Sequence, residues 1–177
     1  DYTNLTQGEP RLVIPFFDED NRLIGAQGRA LRESKVRYVT VKVHENSRKV
    51  FGLERWTNKE PTYLVEGPID SLFLPNSLAM AGADMSDLSF LNKINTTIIF
   101  DNEPRNDHIS KRMVDALEKG WRIVVWQDQG NKWDSRAPKD INDMVISGKT
   151  TDEILKIINK NTYSGQRGKW EVTYWKV

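Results

Sequence analysis

The 177-residue sequence contains no cysteine. Disulfide bonds and thiolate zinc sites are therefore excluded within this chain, and the composition fits a reducing compartment. The sequence also lacks a signal peptide and any apolar run long enough to cross a bilayer, so we expect no membrane association. It begins with Asp1 rather than Met, which favours a fragment or a processed product.

An excess of charge of one sign is also lacking. The chain has 26 Lys and Arg residues against 25 Asp and Glu, and its formal net charge is +1. There is thus no overall basic signature of nucleic-acid binding. The charges are segregated, however, because residues 22–55 are rich in Lys and Arg while acidic clusters lie downstream. A basic region that faces acidic metal ligands suits a polyanionic substrate whose phosphates also need a cation.

Residues 62–65 form a continuous apolar run, which is typical of a buried parallel strand. Gly67 and Pro68 break this strand, and Pro68 suits the first turn of a helix. Glu66 then lies at the carboxyl end of a strand and faces a helix amino terminus, where open α/β sheets place their ligands. Taken alone, such a carboxylate is more simply interpreted as a cap on the helix dipole.

Two further acidic clusters follow predicted strands. Residues 96–100 form a second apolar run, which is followed by Asp101 and Glu103, two residues apart and so able to point to one side of an extended chain. A third strand, residues 122–127, precedes the cluster Lys139, Asp140 and Asp143. Three strand ends that deliver carboxylates to one sheet edge predict an all-oxygen site for Mg²⁺ or Mn²⁺.

These motifs resemble those of Toprim domains, in which Glu-Gly-x-x-Asp follows one strand and Asp-x-Asp follows the next. The residues from Glu66 to Asp70 match the first motif, whereas Glu103 stands where the second has Asp. The Lys139 cluster resembles the third acidic motif of primase Toprim domains, with Asn142 in place of its last Asp. Over about residues 9–158 the chain resembles the DNA primases of T-even-type bacteriophages.

The resemblance implies an α/β fold, in which a Toprim domain (a central, mostly parallel sheet flanked by helices) is preceded by a small, basic, β-rich lobe. We expect residues 1–60 to form that lobe and residues 61–160 to form the Toprim domain. Residues 161–177 form an aromatic tail. Trp170, Val172 and Tyr174 alternate there, which predicts a strand that packs on the body or forms a partner surface.

The resemblance also implies template-directed synthesis of short RNA primers on single-stranded DNA by two-metal-ion nucleotidyl transfer. The expected catalytic residues are Glu66, Asp101 and Glu103. The expected ligands of Mg²⁺ or Mn²⁺ are Glu66, Asp101, Glu103, Asp140 and Asp143, with Asp70 as support or as a first-turn helix residue. The expected nucleotide- and template-binding residues are Arg29, Arg37, Lys49, Arg105 and Lys139. For Arg37, Lys49 and Arg105, an ordinary surface charge or an ion pair explains the residue about as well.

No zinc is expected within this chain. The implied partners are a single-stranded DNA template, ribonucleoside triphosphates, the RNA primer and a replicative helicase, in the cytoplasm of a bacterial host cell. Two alternatives remain open: a Toprim-type metal-dependent nuclease, which would use the same carboxylates, and a non-catalytic module that binds DNA or a helicase. Stacking of a base on Trp133 is a minor hypothesis.

Overall fold

The computed structural model describes residues 9–82, 85–127 and 138–176, which form two β-sheets and five α-helices. The strands are β1 (Arg11–Phe17), β2 (Leu23–Ala30), β3 (Tyr38–Lys42), β4 (Thr62–Val65), β5 (Ser77–Ala79), β6 (Thr96–Ile99), β7 (Arg122–Val124) and β8 (Thr162–Tyr163). The helices are α1 (Pro68–Ser71), α2 (Asp107–Glu118), α3 (Ile141–Ile146), α4 (Thr151–Lys160) and α5 (Gly165–Trp175). No described helix has the length and apolar character needed to cross a membrane.

The first sheet is antiparallel, with its strands in the order β1-β2-β3. β1 and β2 pair as an antiparallel hairpin, which places Phe16 opposite Gly25. Gly25 is required because β3 lies close behind it: a Cβ at this position would be 2.6 Å from the carbonyl oxygen of Val41. Phe16 is buried and meets Phe51 edge-on, with 5.7 Å between ring centroids, so the hairpin is joined to the rest of the core.

The second sheet has the order β5-β4-β6-β7-β8. The first four strands are parallel and β8 is antiparallel to β7, which confirms the predicted mostly parallel sheet. Leu64, Ile98 and Ile123, from the three central strands, have no exposed surface. Burial on both faces explains why these strands appear in the sequence as unbroken apolar runs.

The parallel register places the strand ends at one edge of the second sheet. Val65, the last residue of β4, is paired with Ile99, the last residue of β6. Residues that follow these two positions therefore meet at the carboxyl edge, where open α/β sheets form their sites.

The helices surround this sheet in two groups. Helix α2 packs on β7 and α5, and it buries Ile109, Met113 and Leu117 at the spacing of an amphipathic helix. Helix α1 contacts β4, β5 and α3, and α3 contacts α4. Helix α4 is preceded by a capping box between Thr150 and Glu153.

The segment of residues 48–53 packs against the second sheet. Phe51 forms an isolated antiparallel bridge with Ala79, with both N–O distances 3.0 Å, and Leu53 is buried in the main core. β5 is an edge strand, so the backbone groups on its outer side can pair with another segment. Pairing there also removes the apolar residues of this segment from water, which is favourable.

The predicted strand in the tail is wrong, because residues 165–175 form α5. The buried residues of this helix are Gly168, Val172 and Trp175, spaced four and three apart. Trp170 and Tyr174, which suggested alternation, are 62% and 71% exposed. The period of burial is therefore helical, and only the helix packs one continuous face on α2.

Candidate active site

Two carboxyl groups that follow neighbouring strands lie side by side at the carboxyl edge of the second sheet. Glu66 follows β4, and Asp101 follows β6 after a single residue. The backbone N–H of Asp101 donates a hydrogen bond of 3.1 Å to Oε2 of Glu66. The parallel register thus brings together two residues that are 35 positions apart in the sequence.

A cleft of about 400 Å³ opens between the two sheets at this point. On one side it is lined by Glu66, Asp70, Asp101, Lys139 and Asp140. On the other side it is lined by residues of β2, β3 and the segment before β3, namely Gln27, Arg37, Tyr38 and Thr40. Four carboxylates therefore face a wall that carries a guanidinium group and a phenol ring.

Two cationic side chains bind the carboxylates of the cleft. Arg112, from α2, forms an ion pair with Oε1 of Glu66, and its guanidinium lies 5.2 Å from the ring centroid of Phe100. Lys139 places Nζ 2.5 Å from Oε1 of Glu103 and 3.5 Å from Oδ2 of Asp101. Asp101 and Glu103 thus converge, as their spacing predicts, and the group on which they converge is the Lys139 ammonium.

The surroundings disfavour ionisation of two of the acids. Burial, and then the neighbouring charge of Glu66, raise the pKa of Asp101 to about 7, although Lys139 works in the opposite direction. Burial also raises the pKa of Asp70 to about 6, against a hydrogen bond of 2.9 Å from the backbone N–H of Asn142. The raised pKa values reflect burial first and repulsion from neighbouring acids second, a combination that is common at functional sites.

Two of the predicted metal ligands, Glu103 and Asp143, do not line the cleft. The carboxylate of Glu103 bonds to Lys139 and accepts a hydrogen bond of 2.6 Å from Nδ2 of Asn106. Its pKa is lowered because these hydrogen bonds outweigh the effect of burial. Asp143 accepts a hydrogen bond of 3.1 Å from the backbone N–H of Lys139, while Asp140 caps α3 by accepting one of 2.8 Å from the N–H of Asp143.

Some of the predicted nucleotide- and template-binding residues line a cavity, and others do not. Arg37 lines the cleft, and Arg29 lines a smaller adjoining cavity of about 50 Å³ together with Asp70. Both guanidinium groups lie within 6 Å of the Tyr38 ring, at 5.9 Å for Arg29 and 5.5 Å for Arg37. Lys49 and Arg105 line neither cavity. Trp133 lies outside the described residues.

Sequence reasoning missed Tyr38, which lines the cleft, and Arg112, which pairs with Glu66. Arg112 precedes the buried Met113 on α2, so helical spacing alone does not show that it reaches Glu66. Tyr38 begins β3 and carries no motif of its own. The one available signal for both is their position within segments already matched by the resemblance.

The fit of a divalent cation to this cleft rests on the chemistry of its donors. No three of the carboxyl and imidazole groups in residues 9–82, 85–127 and 138–176 converge closely enough to hold a metal ion as they stand. Arg112 and Lys139 instead bind Glu66, Asp101 and Glu103. Hard carboxylate oxygens, together with the raised pKa values of Asp101 and Asp70, fit a hard cation that would relieve the repulsion.

An antiparallel sheet beside a mostly parallel one, with acids at the strand ends, is the fold of Toprim-containing primase catalytic cores. The primase of Aquifex aeolicus, solved with its zinc-binding and RNA polymerase domains, is 26% identical with a TM-score of 0.63, over 89% of this chain and 43% of that chain. A second similar structure is a complex of the bacteriophage T7 lagging-strand DNA polymerase with primase domains bound to an RNA/DNA hybrid. One of its chains has a TM-score of 0.56 at 16% identity, over 90% of this chain and 81% of that chain. The latter likeness concerns the fold alone.

A particular relative is the DNA primase of Enterobacteria phage T4. It is 34% identical over 168 residues, which cover 93% of this chain and 47% of that protein. This chain is therefore a relative of that DNA primase with the fold of primase catalytic cores, and it spans about half the length of the curated relative it matches. No family model matches the sequence.

Proposed function

We propose that this chain is the catalytic core of a DNA primase, which synthesises short RNA primers on single-stranded DNA. The observation that carries the proposal is the cleft of about 400 Å³, in which acids at two strand ends and at the cap of α3 face Arg37 and Tyr38 at the start of β3. Cationic and aromatic groups suit nucleic-acid phosphates and bases, whereas acids suit the metal ions that accompany a triphosphate. We also propose residues 1–60 as a template-binding lobe, residues 61–160 as the metal-binding Toprim domain, and residues 161–177 as its tail.

Glu66, Asp101 and Asp140 would hold a divalent cation, with Asp70 as an additional acid on the same wall of the cleft. Mg²⁺ or Mn²⁺ held by these acids would supply Lewis-acid activation of the primer hydroxyl and neutralisation of the triphosphate charge. Glu103 and Asp143 would contribute through Lys139, to which both are bonded. Lys139 contacts Asp101 and Glu103, and it would bind a phosphate once a cation took its place at these acids.

The first sheet would bind the polyanionic substrates. Arg37 and Arg29 present planar guanidinium groups to the two cavities, and such groups bind phosphate oxygens in pairs. The ligand that we propose is a primer–template duplex; in the T7 complex, primase domains are bound to an RNA/DNA hybrid. The proposed partners are single-stranded DNA, ribonucleoside triphosphates, the RNA primer and a replicative helicase, within the bacterial host cell.

Primer synthesis on single-stranded DNA with labelled ribonucleotides and Mg²⁺ or Mn²⁺ tests this proposal. We expect short RNA products from the wild-type protein, and a loss of about a hundredfold or more in Glu66→Gln and Asp101→Asn, since removal of a metal ligand forfeits several kcal/mol of transition-state stabilisation. Asp152→Asn is the matched control, because Asp152 is an exposed acid on α4 that does not line the cleft.

Different products would contradict the proposal in different ways. Cleaved template in place of RNA would identify a nuclease. An absence of RNA products, even after addition of a helicase and a separate chain that carries a zinc-binding domain, would indicate a non-catalytic binding module. Full activity in both Glu66→Gln and Asp101→Asn would place the chemistry elsewhere in the molecule.

A further inference from the structure

We propose that Trp175, near the end of α5, is a positioning residue that acts through Asn102 to fix the loop carrying Asp101. This inference rests on the proposed metal-dependent function of the cleft. Trp175 does not line the cleft itself, so it would influence the reaction only through the residues it orients.

Asn102 connects three separate parts of the chain. Its backbone N–H donates a hydrogen bond of 2.6 Å to the carbonyl oxygen of Lys139. Its side-chain Nδ2 donates one of 3.3 Å to the carbonyl oxygen of Pro138, and its Oδ1 accepts one of 3.1 Å from Nε1 of Trp175. The loop after β6, the approach to α3 and the end of α5 therefore meet at one amide.

The indole of Trp175 determines which way this amide faces. An indole N–H can only donate, so the atom of Asn102 that faces it is the carbonyl oxygen, and the amide nitrogen must face Pro138. Trp175 is only 1% exposed, so water cannot easily replace the indole as donor. Loss of the donor would leave the oxygen of a half-buried amide unsatisfied and free the loop to adopt other positions.

Helix α5 is held firmly enough along α2 to serve as a fixed reference. Gly168 lies against Leu117 so closely that a Cβ would be 2.5 Å from the Cδ2 atom of Leu117. Ion pairs join Lys169 to Glu118 at 2.8 Å and Lys176 to Asp107 at 2.9 Å, near the two ends of α2. Close packing along α2 fixes the distance from α5 to the loop, and the two ion pairs, which are exposed, contribute little to it.

The position of the loop matters because Asp101, the residue before Asn102, belongs to it. Its backbone N–H donates to Glu66, and its side chain approaches Lys139. A shift at Asn102 would thus move one candidate metal ligand and disturb another. Residues that orient metal ligands from behind commonly change metal affinity or activity by about 10- to 100-fold when they are replaced.

The test compares Trp175→Phe, which keeps an aromatic ring and removes the N–H, with Trp170→Phe as the matched control on the exposed face of the same helix. Asn102→Ala removes the same hydrogen bond from the loop side, and it serves on its own if Trp175→Phe fails to fold. Mn²⁺ binding to the whole chain is measured by electron paramagnetic resonance. The kcat of primer synthesis and the KM for ribonucleotides are measured in parallel.

We expect Trp175→Phe and Asn102→Ala each to weaken Mn²⁺ binding and to lower kcat by about tenfold, with KM changed by less than about twofold. The double variant should be no worse than the poorer single variant, because both changes remove one contact. Mn²⁺ affinity in Trp175→Phe equal to that in Trp170→Phe, or losses that multiply in the double variant, would overturn the inference. A wild-type protein that binds Mn²⁺ but makes no primers would refute the proposed function, while Mn²⁺ binding still decides the role of Trp175. A wild-type protein that does not bind Mn²⁺ would overturn both.

Discussion

The ionised side chain of Asp101 should destabilise the metal-free protein. Burial, and then the charge of Glu66, raise its pKa from 3.8 to about 7. At ~1.4 kcal/mol per unit of pKa difference, ionisation of Asp101 lowers the free energy of unfolding by at most roughly 4 kcal/mol. Because coupled acids and a nearby ammonium adjust to one another, we expect Asp101→Asn to stabilise the metal-free protein by about 2 kcal/mol at pH 8.

The direction of the pH dependence follows from the sign of the shift. Below about pH 3.8, Asp101 is protonated in both the folded and the unfolded chain, and its charge costs nothing. Between 3.8 and about 7 the folded chain retains the proton and the unfolded chain releases it, so the stability of the wild-type protein falls as the pH rises. The advantage of Asp101→Asn should therefore be small near pH 4 and reach its full size above pH 7.

Urea unfolding in EDTA, followed by tryptophan fluorescence at pH 4.5 and pH 8, measures this effect. Asp152→Asn is the control, and we expect it to change the free energy of unfolding by less than ~0.5 kcal/mol, as surface substitutions usually do. Addition of Mg²⁺ should stabilise the wild-type protein more than Asp101→Asn, because the cation binds the ionised side chain. If Asp101→Asn is the less stable protein at pH 8 without metal, Lys139 compensates the carboxylate fully and the reasoning is refuted.

Two further predictions concern packing and substrate binding. Gly168→Ala places a Cβ 2.5 Å from Cδ2 of the buried Leu117, so we expect overpacking to outweigh the gain in helix propensity and to lower the free energy of unfolding by about 1–3 kcal/mol; a neutral effect would show that α5 moves freely on α2. Arg37→Ala should weaken binding of a primer–template duplex by about tenfold in fluorescence anisotropy, because Arg37 lines the cleft, whereas Lys49→Ala should weaken it by less than about threefold. Equal losses in the two variants would contradict the assignment of Arg37 to the substrate wall.

The sequence was sufficient for the strands that form the candidate site. Residues 62–65 and 96–99 are strands as predicted, because an apolar run that is buried on both faces has one simple interpretation. The positions of Glu66 and Asp101 follow directly, since Gly67 and Pro68 end one strand and the acid itself ends the other. The parallel alternation of strands and helices then places both acids at the same sheet edge.

The tertiary structure decided which way the acidic side chains point. Glu103 and Asp143 have the same chemistry as Glu66 and Asp140, but their carboxylates are bonded to the side chain or the backbone of Lys139 and do not line the cleft. The direction of a charged side chain depends on which partners approach it in space. No local pattern in the sequence contains that information.

The tertiary structure also determined the conformation of the tail and the side chain that pairs with Glu66. Residues 165–175 contain few apolar side chains, so their period becomes clear only when Leu117 of α2 presents a surface for Gly168 to pack against. Arg112 reaches Glu66 only because α2 lies beside the carboxyl end of β4. Local runs of apolar residues determine strands by themselves, whereas contacts between residues distant in sequence exist only after the chain has folded, and these contacts orient the charges of the site.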